Sequence, residues 1–386
     1  MQQYRIKIGW VIICLLAGIS CKDLYNPPIT SKDYNYLVVE GFIDNGTAPT
    51  HIRLTRTRRL GLEARIVPEF KAKVAVVGEG NESYALTEGS EGDYFATLTL
   101  DNAKKYSLQI KTADGNEYRS AAVSLKKAPP IDSVYWQKNQ EGVQIYLTTH
   151  DPQNNTKYYR WEYEETWEYH MYDTSFFEFK PNLLKVVPRD TPLVNVCWRT
   201  LLSNQILLGS TEKFTTDLIH AFPLVKIVED SDDAWKLGAL YSILVKQYAF
   251  NKEAFAYWLN MKKNTEQLGT IFDPQPTEIK GNITCINNPT ETVIGYISAG
   301  TSSSQRIFVK VPRWNYRIPC SDSTERRLKQ LEMFLPKDTI GPFIEPYVPM
   351  REVKRGGEVI GYQSADYICA DCRAYKGEPR KPSYWP

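Results

Sequence analysis

Histidine, methionine and long apolar stretches are scarce in this chain, and each shortage removes a class of function. The 386 residues include four histidines and five methionines. His51, His150, His170 and His220 stand in separate segments, so no close pair offers the spacing of a zinc site. A hydrolase triad needs a histidine beside a nucleophile, and the Gly-x-Ser-x-Gly elbow is absent. Gly78-Glu79-Gly80 lacks the third glycine of a dinucleotide loop, and Asp230, Asp232 and Asp233 miss the EF-hand spacing. No apolar run reaches the roughly 20 residues that span a bilayer. The expectation is a protein that is not an enzyme and holds no cofactor and no metal.

Net charge is also missing. Residues 1–20 carry Arg5 and Lys7 and no acid, so without them the 47 basic residues fall to 45 and match the 45 acidic ones. A neutral body lacks the basic field that displaces counterions from a phosphate backbone, so no nucleic-acid partner is expected.

What the chain does have begins at its start. Arg5-Ile6-Lys7, the apolar run Ile8 to Ile19 and the small Ser20 before Cys21 form a secretory signal whose cleavage leaves Cys21 first. Gly18-Ile19-Ser20-Cys21 is similar to a bacterial lipobox, and lipid on Cys21 would hold the body at a membrane. Each buried methylene adds about 0.8 kcal/mol to such an anchor. The expected localisation is the outer membrane, with the periplasmic or surface side open.

Twenty-five tyrosines and nine tryptophans suit β-structure. Residues 21–34, with Pro27-Pro28, read as a lipid-anchored tether. Residues 35–127 alternate as short strands between glycine turns, the pattern of an immunoglobulin-like β-sandwich. After Pro129-Pro130 comes a second β-rich, fibronectin-III-like unit over 128–320, with an insertion and one helix at 251–265 capped by Asn251. Phe255, Trp258 and Leu259 are its expected core stripe. Residues 321–386 read as a loop-rich tail docked on the second unit, with a short helix over Arg326 to Leu335 and a turn at Arg355-Gly-Gly-Glu.

One strand stands out. Tyr159, Trp161, Tyr163, Trp167, Tyr169 and Met171 share one parity, while Glu162, Glu164, Thr166, Glu168 and His170 share the other. Opposite parities face opposite sides of a sheet. Either the aromatic face packs on a core with the acids in water, or Trp161, Tyr163, Trp167 and Tyr169 form an exposed binding face for a sugar or a protein. A glycosidase pair drawn from Glu162, Glu164 and Glu168 would need a cleft that spacing does not reveal.

Cys197, Cys285, Cys320, Cys369 and Cys372 follow Cys21, an odd number that leaves one unpaired. Cys369-x-x-Cys372 admits a structural bridge, a redox pair or a metal site. The structural reading links Cys369 or Cys372 to Cys320, closing a loop worth about 4 kcal/mol in the chain-entropy model.

Tyr241-Ser-Ile-Leu-Val-Lys-Gln-Tyr248, Phe272-Asp-Pro-Gln-Pro, Gly281-Asn282, Val293-Ile-Gly-Tyr296 and Cys369-Ala-Asp-Cys-Arg373 together resemble the Bacteroidota lipoproteins grouped as domain of unknown function 4249. The resemblance implies an outer-membrane lipoprotein without assigned activity, acting as a binding or accessory subunit of a TonB-dependent transporter. The alternative is a stand-alone surface adhesin or glycan-binding protein.

Overall fold

Alternating apolar and polar residues set the architecture, because each strand that buries one face must find a second sheet to cover it. The computed structural model describes residues 35–58, 66–180, 185–190, 192–229, 231–266, 279–312, 314, 333–334 and 347–386. The signal, Cys21, the tether up to residue 34, Phe272-Asp-Pro-Gln-Pro and Cys320 lie outside the described residues, as does the expected helix at 326–335 apart from Met333–Phe334, a short strand.

The fold is mainly β and sandwich-like, as the alternation predicts. In the first half, Leu37–Asp44 pairs antiparallel with Thr50–Arg56 and buries Leu37, Val39, Ile52 and Leu54. From the facing sheet, Lys73–Gly78 and Lys105–Lys111 contribute Val74, Val76, Tyr106 and Leu108 to the same core. Part of that core arrives late in the sequence. Ile283, Cys285, Val293, Ile297 and Ala299 pack among these residues, and Ile283–Cys285 adds a strand beside Glu117–Ser120. A segment inside the expected 128–320 unit therefore completes the first sandwich.

Two glycines make that return possible. Gly295 has φ +143°, and a Cβ there would stand 2.1 Å from the Val39 carbonyl oxygen. On either side of this close approach, the Val39 N–H donates to the Ile294 carbonyl and the Ile294 N–H to the Leu37 carbonyl. A Cβ on Gly281 would meet the Gly295 carbonyl at 1.6 Å. Asn282 then fastens the segment through both ends of its amide, to the Ile297 N–H and carbonyl at 2.8 Å each.

Ser298–Val309, the spine of the molecule, runs through both halves. Its beginning lies parallel to Phe42–Asp44 on one side and to Leu125–Lys127 on the other. From Ser302 to Val309 it pairs antiparallel with the central strand, Tyr241–Phe250. The central strand pairs in turn with the aromatic strand, Tyr158–His170. Beyond it, Val196–Leu202 and Leu207–Ser210 share the other edge of the aromatic strand. A second sheet of Ile131–Lys138, Gly142–His150 and Leu218–Val228 brings Val143, Ile145, Leu147 and Ile227 against the aromatic face.

The helix covers Lys252–Glu266, one residue from the expected span, and Asn251 caps it by accepting from the Ala254 N–H at 2.8 Å. Its buried positions are Ala254 and Tyr257 rather than the Phe255, Trp258 and Leu259 stripe. The stripe is partly exposed because the helix lies on a sheet face that stays half open. The described tail is more regular than expected. Tyr347–Arg355 and Glu358–Asp366 form a hairpin turned by Gly356-Gly357, both with positive φ.

Candidate functional site

The aromatic strand sorts its two faces cleanly, and the outcome corrects the exposed-face expectation. Trp161, Tyr163, Trp167 and Tyr169 are all buried, none above 5% exposed. They are not a binding face, because the three-stranded sheet covers Trp161, Trp235 packs on Trp167 and Tyr169, and removing so many rings from water is strongly favourable. Several polar atoms of this face are used internally. The Trp161 indole donates to Gln247 at 2.8 Å, and the Tyr159 hydroxyl donates to Asp217 at 2.6 Å.

Glu165 escaped the sequence reading. It is the acid on the aromatic parity, and it is buried. The Tyr241 hydroxyl donates to one of its oxygens at 2.7 Å, and Lys236, also buried, donates to the other at 3.2 Å. Burial, reinforced by the Glu165 carboxylate, holds the Tyr241 phenol well above its ordinary pKa. An acid out of phase in an otherwise aromatic row was the available signal, since a charge in a core requires a partner.

The opposite parity carries the candidate site. Register places Arg160, Tyr248 and Ser302 in one row, Glu162, Lys246 and Ser304 in the next, and Glu164, Leu244 and Arg306 in a third. Two similar stacks occupy this face. Arg160 pairs with Glu162 and lies 3.8 Å from the Trp258 ring centroid, so the helix closes one end. Arg306 pairs with Glu164 at 2.9 Å and lies 3.7 Å from the Tyr384 ring centroid, so the C-terminus closes the other. Glu162 and Glu164 are neither buried nor free, with side chains 38% and 25% exposed. The Tyr248 phenol donates to Glu162, and burial followed by that carboxylate raises its pKa. Leu202, opposite Glu164 in register, is 75% exposed.

The C-terminus reaches this face as a fastened strap. Cys372 is bonded to Cys197, 175 residues away in sequence, which excludes Cys372 as the partner of Cys320 and leaves the Cys369 alternative standing. Pairing follows proximity in the fold: Cys197 lies beside Tyr169, whose hydroxyl donates to the Cys372 carbonyl at 2.6 Å. Cys369 is disulfide-bonded as well, so Cys369-x-x-Cys372 is not a two-cysteine bridge, and Cys285 is a free, buried thiol. Downstream, Glu378 exchanges backbone hydrogen bonds with Trp198. Tyr384 bonds Thr166 at 2.8 Å, and the Trp385 indole donates to Glu168 at 3.0 Å.

The first sandwich has a recess of about 530 Å³ beside Val74, Ile110, Tyr118 and Ile286. Of the polar groups lining it, Lys111 pairs with Glu117 at 2.7 Å, and the Tyr118 hydroxyl donates to Glu291 at 2.8 Å.

Together these features define a two-core β-protein whose open, polar sheet face is framed by two aromatic rings. A family described as Domain of unknown function (DUF4249) matches residues 22–306, and the chain belongs to that family. The match ends within the spine, so the strap and Cys369-Ala-Asp-Cys-Arg373 lie beyond it. No curated protein matches the chain. Within the matched span, Gly281-Asn282 and Val293-Ile-Gly-Tyr296 fasten the returning segment, and Tyr241–Tyr248 forms the central strand. These motifs therefore maintain architecture.

Proposed function

We propose that this protein is a non-catalytic binding or accessory subunit, moored to the outer membrane by lipid on Cys21 and working with a TonB-dependent transporter. The observation that carries this reading is the direction of the first strand. Leu37, its first residue, lies closest in sequence to the tether, and its last residues run parallel to the spine. The spine then continues into the second half. A mooring at Cys21 would thus hold the first sandwich nearest the membrane and present the open face beyond it. Half-exposed ion pairs and aromatic rings on that face suit reversible recognition.

Mass spectrometry of the N-terminal peptide, with affinity purification from detergent-solubilised envelope, tests both parts. The expected result is an acylated Cys21 and a co-purified TonB-dependent receptor. An unmodified N-terminus would dismiss the mooring, and recovery of the protein without a receptor would dismiss the partner.

A further inference from the structure

We infer that the half-exposed sheet face between Trp258 and Tyr384 binds a neutral oligosaccharide. The inference rests on the reading of the protein as a binding subunit and is independent of which membrane partner it has. The two rings supply the first reason. Each has a guanidinium against one side, at 3.8 Å for Trp258 and 3.7 Å for Tyr384. The cation fixes the orientation of the ring, so little side-chain freedom is lost when a ligand stacks on it. The C–H face of a pyranose is apolar and flat enough to lie on such a ring while its hydroxyls point outward.

Charge supplies the second reason. Glu162 is paired with Arg160, and Glu164 with Arg306. An anionic polymer would require cations free of acids, and a cationic ligand would require unpaired carboxylates. Neither condition holds for these pairs, and Lys246, opposite Glu162 in register, is a single cation and not the row an anionic polymer needs. Carboxylates and guanidiniums nevertheless keep lone pairs and N–H groups beyond those used in one ion pair. Adjacent sugar hydroxyls, each both donor and acceptor, match that inventory. Ser304 and Lys246 add a hydroxyl and an ammonium group in the row between the two stacks.

Spacing and backbone pairing define the ligand further. The backbones of Arg160 and Arg306 stand four residues apart along the strand direction and two strands apart across it, roughly 16 Å at strand spacings of about 4.8 Å and a rise of about 3.3 Å per residue. Their guanidinium groups converge on Glu162 and Glu164, about 6.6 Å apart along one strand, so both ion pairs and both rings lie within reach of one short saccharide chain. The aromatic and central strands are paired on both edges, so a peptide cannot join them as an added strand.

The test is titration of the full chain with maltohexaose, cellohexaose, xylohexaose, mannohexaose and chitohexaose, read by calorimetry and tryptophan fluorescence. Oligogalacturonate and a Gly-Ser-rich peptide serve as comparators. At least one neutral hexasaccharide is expected to saturate. Trp258→Ala and Tyr384→Ala should each weaken binding by about tenfold or more, while Tyr384→Phe, which keeps the ring, should stay within about threefold. Leu202→Asp tests the same face without touching a packed group and should also weaken binding. Thermal melts and an intact Cys197–Cys372 bond establish that the variants are folded. Failure of every neutral saccharide to saturate would overturn the inference. So would equal affinity for oligogalacturonate or the peptide, or a Trp258→Ala, Tyr384→Ala double variant that binds within about twofold of the parent. A receptor that still co-purifies while all saccharides fail would overturn this inference alone.

Discussion

The two cores of this molecule solve the same packing problem with different residues. The first buries aliphatic side chains and tyrosines, and in its ion pairs one partner stays more open, Glu69 at 14% beside Arg56 and Arg53 at 35% beside Asp93. The second buries tryptophans and places Glu165, Lys236 and Tyr241 among them. An aliphatic core tolerates small losses locally, whereas a buried charge makes its neighbours interdependent. The second core should therefore be the more sensitive to single polar changes.

The most disruptive test of that contrast is Glu165→Ala, which takes the buried acid from both Lys236 and the Tyr241 hydroxyl and leaves the ammonium group with the largely exposed Asp233 at 3.3 Å. It should lower stability by about 3–5 kcal/mol in denaturant melts. A joint Glu165→Met, Lys236→Met variant should recover most of the loss. If the single variant proved mild, the two cores would not differ in the manner described. Breaking the bridge comes next. Cys197→Ala with Cys372→Ala should cost about 2–5 kcal/mol, with hydrogen exchange rising in the strap before the first sandwich changes. In the first core, Gly295→Ala should cost more than about 1 kcal/mol because its φ and the Val39 carbonyl leave no room for a methyl group. Faster exchange should centre on 281–297.

The smallest effect concerns acid. Hydrogen bonding from His170 leads the causes that hold the Glu168 carboxyl below its usual range, and the Trp385 indole adds to it. The stability this provides is complete above the ordinary glutamate value of about 4.3 and declines as pH falls through the depressed value. The strap should loosen in that acid window. Trp385 fluorescence should follow the change, and Glu168→Gln should flatten it.

Much of this organisation was legible in the sequence, for identifiable reasons. Period-two alternation revealed both the aromatic strand and the face carrying Glu162 and Glu164. Asn251 announced the helix, and Gly356-Gly357 the hairpin turn. The first part of the spine was not legible, because Ser298-Ala-Gly-Thr-Ser-Ser-Ser304 has the composition of a loop. It is a strand because neighbours pair with it on both sides, and Gly300 is required where a Cβ would stand 1.9 Å from the Lys126 carbonyl. Crowding there selects small residues over apolar ones. The Cys197–Cys372 pairing and the closure of the open face by Tyr384 were also invisible, since each joins segments brought together only by the finished fold.

The parallel contact between the first strand and the spine has a mechanical consequence. If a mooring drags on the chain near Asn35 while a captured ligand drags on the far half, the two strands are pulled in opposite senses along their length. Their hydrogen bonds then resist sliding collectively instead of unzipping one after another. The joint between the two halves is thus oriented to withstand tension applied from end to end.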